Sequence, residues 1–308
     1  MSAAVENPYW MPFTANRDFN KKPRVITGAA GHWYTTDDGT RLYDMFSGLW
    51  TCGVGHCHPR IVEAVQQQVA TLDFCMSFQV TNDKALKLAE RVTSMAPEGI
   101  DHCFFTNSGS ESVDTALKIA LGYHRARGEG NRTRLIGREK GYHGVNFGGV
   151  SVAGMMPNKK AFGLALPGVA HIRHTLLEEN KFTPGQPEHG AELANDLQRL
   201  VDLHGDDTIA ACIVEPIAGS VGCIVPPKGY LERLREICDQ YGILLIFDEV
   251  ICGFGRTGKQ FGADSFGVTP DLMTMAKALT NGVVPMGAVA CSEKIYETIT
   301  GAAPVMVS

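Results

Sequence analysis

The sequence predicts an α/β fold, a mostly parallel sheet sandwiched by helices. Three observations predict it. Apolar runs and amphipathic stretches alternate from about Pro59 onward. The apolar runs are hydrophobic at successive positions, as in strands buried on both faces. Several of them end in polar or acidic residues, in "FFTNSGSES", "IVEP" and "LLIFDEV". In such sheets ligands bind beyond the carboxyl ends of the strands.

The elements follow in order. "RIVEAVQQQVATL" has helical spacing, with Pro59 suited to a first helical position. "NDKALKLAERVTSMAP" is a second helix, with Asn82 as cap and Pro97 beyond its end. "DHCFFTN" reads as a short strand, and "SESVDTALKIALGYHRARG" as a long helix closing at Gly128. "TRLIG" is a strand, "AELANDLQRLVDLHG" a helix and "IAACIVEP" a buried strand. The helix "GYLERLREICDQYG" precedes the strand "ILLIFDEV". "DLMTMAKAL" and "GAVACS" are further strands, and "EKIYETITG" is a helix. Residues 178–190, rich in Pro, Gly and charge, form a surface excursion.

The bulk numbers narrow the function classes. A chain of 308 residues with 44% hydrophobic residues has ample material for a large core and roughly two domains. A net charge of -5 without any Lys/Arg run gives no nucleic-acid footprint. No apolar stretch approaches a membrane span, and the N-terminus has no secretory pattern. Nine cysteines without disulfide-like spacing point to a reduced, cytoplasmic protein.

The run "LLIFDEVICGFGRTG" raises the chemical question. A buried carboxylate such as Asp248 is costly unless something pairs with it. Three cations are candidates. The first is magnesium on a nucleotide, since "GFGRTGKQ" fits G-x-x-x-x-G-K. Gln260, however, stands where a metal-binding Ser or Thr is needed, and the motif does not open a helix from its own strand. The second is a metal held by Cys52, His56, Cys57 and His58, but adjacent ligands seldom converge on one ion and no matching pair appears. A glycine turn leading into the helix at Pro59 accounts for that stretch without a metal.

The third is a protonated aromatic nitrogen, as in pyridoxal phosphate, which also needs a nearby lysine. Lys277 lies in the apolar "DLMTMAKALTNG", where burial would lower its pKa and make it nucleophilic. Taken alone, it reads better as a snorkelling lysine at a strand end. "TNSGSES" is a turn that opens a long helix, suited to a phosphate. "GYHG" offers Tyr142 and His143 as ring faces after another strand.

"FFTNSGSESVDTALK", "GREKGYHG", "IVEPIAGSVGCIVPPKGYL", "ILLIFDEVICGFGRTG" and "DLMTMAKALTNGVVPMGAV" resemble, in this order, the signatures of class III, pyridoxal-phosphate-dependent aminotransferases of fold type I. "WMPFTANRDF" and "SGLWTCGVGHCHP" are similar to the omega-amino acid:pyruvate branch, which uses β-alanine as donor. The resemblance implies a seven-stranded sheet within a cofactor-binding large domain at residues 59–308. It assigns residues 1–58 to a smaller domain and to dimer contacts. It implies transamination from an omega-amino acid or amine to pyruvate, in a homodimer or dimer of dimers, with no metal, nucleic acid or membrane.

Lys277 would carry the cofactor as an imine and move the proton. Asp248 would pair with the ring nitrogen, with Val250 and Tyr142 on the two ring faces and His143 beside them. Ser108, Gly109 and Ser110 would hold the phosphate. Glu215 would lie near ring and substrate, and Trp50 would wall the substrate pocket. Glu249 reads as a structural partner of nearby backbone or basic groups.

Family members continue past residue 308 with a Thr that reaches the partner's cofactor phosphate, an Arg for the substrate carboxylate and most of the small domain. The resemblance therefore implies that this part is absent here. An aminomutase or decarboxylase of the same fold, or an inactive cofactor-binding remnant, are the competing expectations.

Overall fold

The computed structural model describes residues 7–163 and 166–302. The chain divides into two compact units, residues 1–74 and 75–308, and each is described by itself.

The first unit is a three-stranded antiparallel meander of β1 (Ile26–Ala30), β2 (Trp33–Thr36) and β3 (Arg41–Tyr43), followed by the helix Pro59–Thr71. Pro59 occupies the first turn of that helix, as expected. The strands were not legible in the sequence, because their burial pattern has no apolar alternation. Among the described residues of this unit only Thr36 and Gly55 are buried.

Its most unusual feature is a single left-handed turn. Ser47, Gly48, Leu49 and Trp50 all have positive φ, between 48° and 67°. Such backbone costs roughly 1–2 kcal/mol per non-glycine residue. Asp44 holds the turn: its Oδ1 accepts from Phe46 N at 3.0 Å and its Oδ2 from Gly48 N at 2.6 Å. His56 Nε2 meets the same Oδ2 at 2.7 Å. Burial works against ionising Asp44, but the hydrogen bonds from His56, Gly48 and Phe46 outweigh it and hold its pKa below the usual value.

The second unit is a seven-stranded sheet covered by helices. Its strands are β4 (His102–Thr106), β5 (Arg134–Arg138), β6 (Val169–Ile172), β7 (Ile209–Val214), β8 (Leu244–Asp248), β9 (Leu272–Met275) and β10 (Gly287–Cys291). Their order is β4-β10-β9-β8-β7-β5-β6. The pairs β5–β6, β5–β7, β7–β8 and β8–β9 are parallel. β10 runs against both of its neighbours, so six strands share one direction.

Alternation along each strand feeds two cores. Leu245 and Phe247 of β8 join one with Leu234 and Ile237 of the helix Tyr230–Tyr241. Leu244 and Ile246 join the other with Val113, Leu117 and Ala120 of the helix Gly109–Ala126. The central strands β7, β8 and β9 are fully buried because both faces meet helices.

Several elements of this unit differ from the expected reading. Residues 191–205 form a 3-10 turn at Ala191–Ala194 and then the helix Asn195–His204. β9 ends at Met275, and Lys277 opens a 3-10 turn at Lys277–Leu279 with φ of 49°. β6 and the short helix Phe147–Val152 were not anticipated. Asn82 caps the helix Asp83–Met95 as expected, accepting from Ala85 N. Among the described residues no helix is long and apolar enough to cross a membrane.

Candidate active site

The carboxyl ends of β4, β5, β7, β8 and β9 lead directly into Asn107–Ser108, the loop bearing Tyr142 and His143, Glu215, Asp248 with Glu249, and Lys277. These strands share one direction, so a single edge of the sheet gathers every site residue expected from the second unit.

Asp248 and Glu249 take opposite roles because successive strand residues face opposite sides. Asp248 continues the phase of Leu244 and Ile246. Its Oδ1 accepts from Val250 N at 3.1 Å, and its Oδ2 lies 2.8 Å from His143 Nδ1. Against an ionised carboxylate, which only accepts, this bond takes its hydrogen from His143 Nδ1. His143 Nε2 is buried and has no partner among the described residues.

Glu249 is wholly buried, and its oxygens accept from Gly262 N at 2.9 Å and Ala263 N at 2.7 Å. Burial pushes its pKa up to about 7 despite those two bonds. The expected backbone partnership is thus observed. The motif "GFGRTGKQ" forms turns between Glu249 and the five-residue helix Gly262–Phe266, not a strand-to-long-helix phosphate loop.

The Lys277 amine has no ion pair or hydrogen bond among the described residues, while its carbonyl accepts from Thr280 N at 3.2 Å. Burial lowers its pKa, while the charges of Asp248 and Glu215 act in the opposite sense. An amine in this state is more readily neutral than a surface lysine. Glu215 is buried, and burial raises its pKa. Its Oε1 accepts from Tyr142 N at 2.7 Å. Tyr142 is half-buried, and burial with the Asp248 charge raises its phenol pKa.

The turn after β4 is built for an anion. Ser108 caps the 18-residue helix Gly109–Ala126, its Oγ accepting from Glu111 N at 3.1 Å. Ser112 N makes the first bond back, to Ser108 O at 2.9 Å. The N–H groups of Gly109 and Ser110 precede that bond, where a helix offers no acceptor of its own. Ser110 Oγ accepts from Val145 N at 3.0 Å, so both hydroxyls keep a proton to donate.

Two glycines allow close approaches here, and Gly287 leaves no room for a side chain. A β-carbon at Gly109 would lie 3.2 Å from Val250 Cγ2 and 3.3 Å from Ala276 Cβ, which sets the turn against Val250 and the residue preceding Lys277. One at Gly287 would lie 2.4 Å from Ser112 Oγ and 2.5 Å from Ser108 O.

Trp50 is the exception among the expected residues. It lies in the first unit, at the end of the left-handed turn. What sequence reasoning missed is the partner of Asp248. His143 stood out in "GYHG" only as a ring face, and no local pattern signals a contact across 105 positions.

The family model described as aminotransferase class-III matches residues 14–303. An omega-aminotransferase of Caulobacter vibrioides is 58% identical over 94% of this chain and 66% of its own length. A beta-alanine–pyruvate aminotransferase of Pseudomonas aeruginosa is 54% identical over 94% of this chain and 65% of its own. This chain therefore spans about two thirds of the length of the curated relatives it matches. The crystal structure of an omega transaminase from Pseudomonas jessenii in complex with PMP superimposes with a TM-score of 0.91 at 35% identity, covering 96% of this chain and 66% of that one. A lysine and an aspartate at the ends of adjacent strands, an anion-ready helix turn and a match over nearly the whole sequence lead to one assignment: the chain belongs to the class-III aminotransferase family.

Proposed function

We propose that the protein moves an amino group from an omega-amino acid such as β-alanine, or from an amine, to pyruvate, with pyridoxal phosphate as cofactor. The observation that carries this reading is the unpaired, half-buried amine of Lys277 at the same sheet edge as the clamped carboxylate of Asp248. The residues fit the cofactor's chemistry. A carboxylate held by two donors suits a ring cation, and the Gly109 and Ser110 N–H groups with the Ser108 and Ser110 hydroxyls suit a phosphate.

When bound, pyridoxal phosphate supplies an aldehyde that exchanges with amines and a ring that accepts the electron pair left by a departing proton. Asp248 keeps a negative charge facing that ring, oriented by Val250 N and His143. Lys277, its pKa lowered, accepts and returns a proton at Nζ. Val250 and Tyr142 are proposed as the ring's two walls, and Trp50 as a determinant of donor size.

Assembly as a homodimer or dimer of dimers belongs to this reading, and a reduced cytoplasmic setting fits nine cysteines without disulfide-like spacing. The test is borohydride reduction with the cofactor followed by peptide mapping, together with alanine formation from pyruvate and β-alanine in a chain extended to the length of its relatives. Label at Lys277 and alanine formed from both substrates are expected. Label on another lysine would overturn the assignment.

A further inference from the structure

We infer that Glu215 is a positioning residue whose one carboxylate ties the Tyr142 loop to the loop at residues 217–224 and so sets one wall of the site. Glu215 follows the last residue of β7 and is 4% exposed. Its Oε1 accepts from Tyr142 N at 2.7 Å and its Oε2 from Gly219 N at 3.1 Å. Its carbonyl accepts from Arg138 Nη2 at 2.7 Å, at the end of β5. Two of these bonds join the end of β7 to the end of β5 and its loop, and the third holds the loop that follows β7.

The second loop is fixed in turn. Ala218 and Ile224 exchange both backbone bonds at 3.1 Å. Cys252 Sγ donates to Ile217 O at 3.4 Å, and a β-carbon at Gly219 would lie 2.9 Å from Ile251 Cδ1. The loop thereby bears on the segment just after Asp248. Displacing Glu215 would move the Tyr142 backbone on one side and the Ile251 segment on the other.

The chemistry explains why the residue is an acid. Both oxygens face N–H donors, and only a carboxylate accepts at both ends. Glutamine, of the same shape, must turn its NH2 toward one of the two amides. A group placed only to touch substrate would not have both oxygens committed to backbone.

The inference rests on Tyr142 lining the proposed cofactor site. Amide hydrogen exchange of the full chain tests it, on wild type, Glu215→Gln and Glu215→Asp. In Glu215→Gln, exchange at Tyr142 or Gly219 should quicken by about tenfold to a hundredfold, as expected for losing a hydrogen bond to a charged acceptor. The amides of Leu245, Ile246 and Phe247 in β8 should be unchanged. Pyridoxal phosphate affinity, followed by its absorbance on binding, should fall several-fold, with the borohydride label still on Lys277. Glu215→Asp, too short to reach both loops, should quicken exchange without restoring affinity.

Unchanged exchange at both amides would overturn the tie, as would equal quickening through β8. Quickened exchange with unaltered affinity would overturn the positioning role. If wild type takes no label at Lys277, the cofactor reading falls and the exchange data still decide the tie.

Discussion

The two units keep their shape by different means. The larger one is held by packing: β8 is buried end to end between two apolar cores. The N-terminal one is held by hydrogen bonds, with Trp10, Phe13, Met45, Phe46 and Leu49 all exposed. Asp44 keeps a left-handed turn in place there, using two backbone N–H groups and His56. Asp248 and Glu215 use the same device in the larger unit, where burial strengthens each bond. Polar clamps position loop backbone in both units, but only packing makes a clamp costly to disturb.

The largest effect expected is on chemistry. Lys277→Ala, in a chain extended to relatives' length, should lower turnover by about 10²–10⁴-fold or more, since the proton-moving amine is gone. The alanine-forming assay measures it, and a rate near wild type would remove Lys277 from the mechanism. The next tests packing. Phe247→Ala should cost about 3–5 kcal/mol in urea unfolding, because a fully buried ring leaves a cavity. Leu49→Ala, exposed and with the backbone strain unchanged, should stay within about 0.5 kcal/mol. Equal costs would erase the distinction between the units.

The third uses Glu249. Its folded pKa of about 7 lies above the ordinary 4.5, so folding favours the protonated form. That contribution is fully present below about pH 4.5 and is lost as pH rises toward 7. The shift corresponds to roughly 3 kcal/mol. Urea midpoints across this range should fall with pH in wild type, and Glu249→Gln should flatten that part of the slope. An identical slope in the variant would assign the pH dependence to other groups. The smallest effect is Leu49→Gly, which relieves a residue at φ of 67° and ψ of 56°. After glycine's entropy cost, a gain of up to about 1 kcal/mol is expected. A clear loss of stability would show that the turn is not strained as its angles indicate.

Most of the larger unit was legible in advance because its signals are local. Successive apolar residues marked β7 and β8, Asn82 marked a helix start, and the polar strand ends marked the candidate site. The N-terminal strands were not legible, since nothing there is buried on a regular period. The reading of "DLMTMAKAL" as one strand ran too far because Ala and Leu continue the apolar pattern into the 3-10 turn at Lys277.

By itself the sequence determined which residue types stand at the ends of which strands, because a strand and its terminus are read within a few positions. Only the tertiary structure decided what those residues do to one another. Strand alternation turned Asp248 toward His143 and Glu249 toward the backbone of Gly262 and Ala263. Glu215 reached an amide 73 positions away and another four positions away with one carboxylate. Contacts at such separations follow from sheet order and helix packing, which no short stretch of sequence contains.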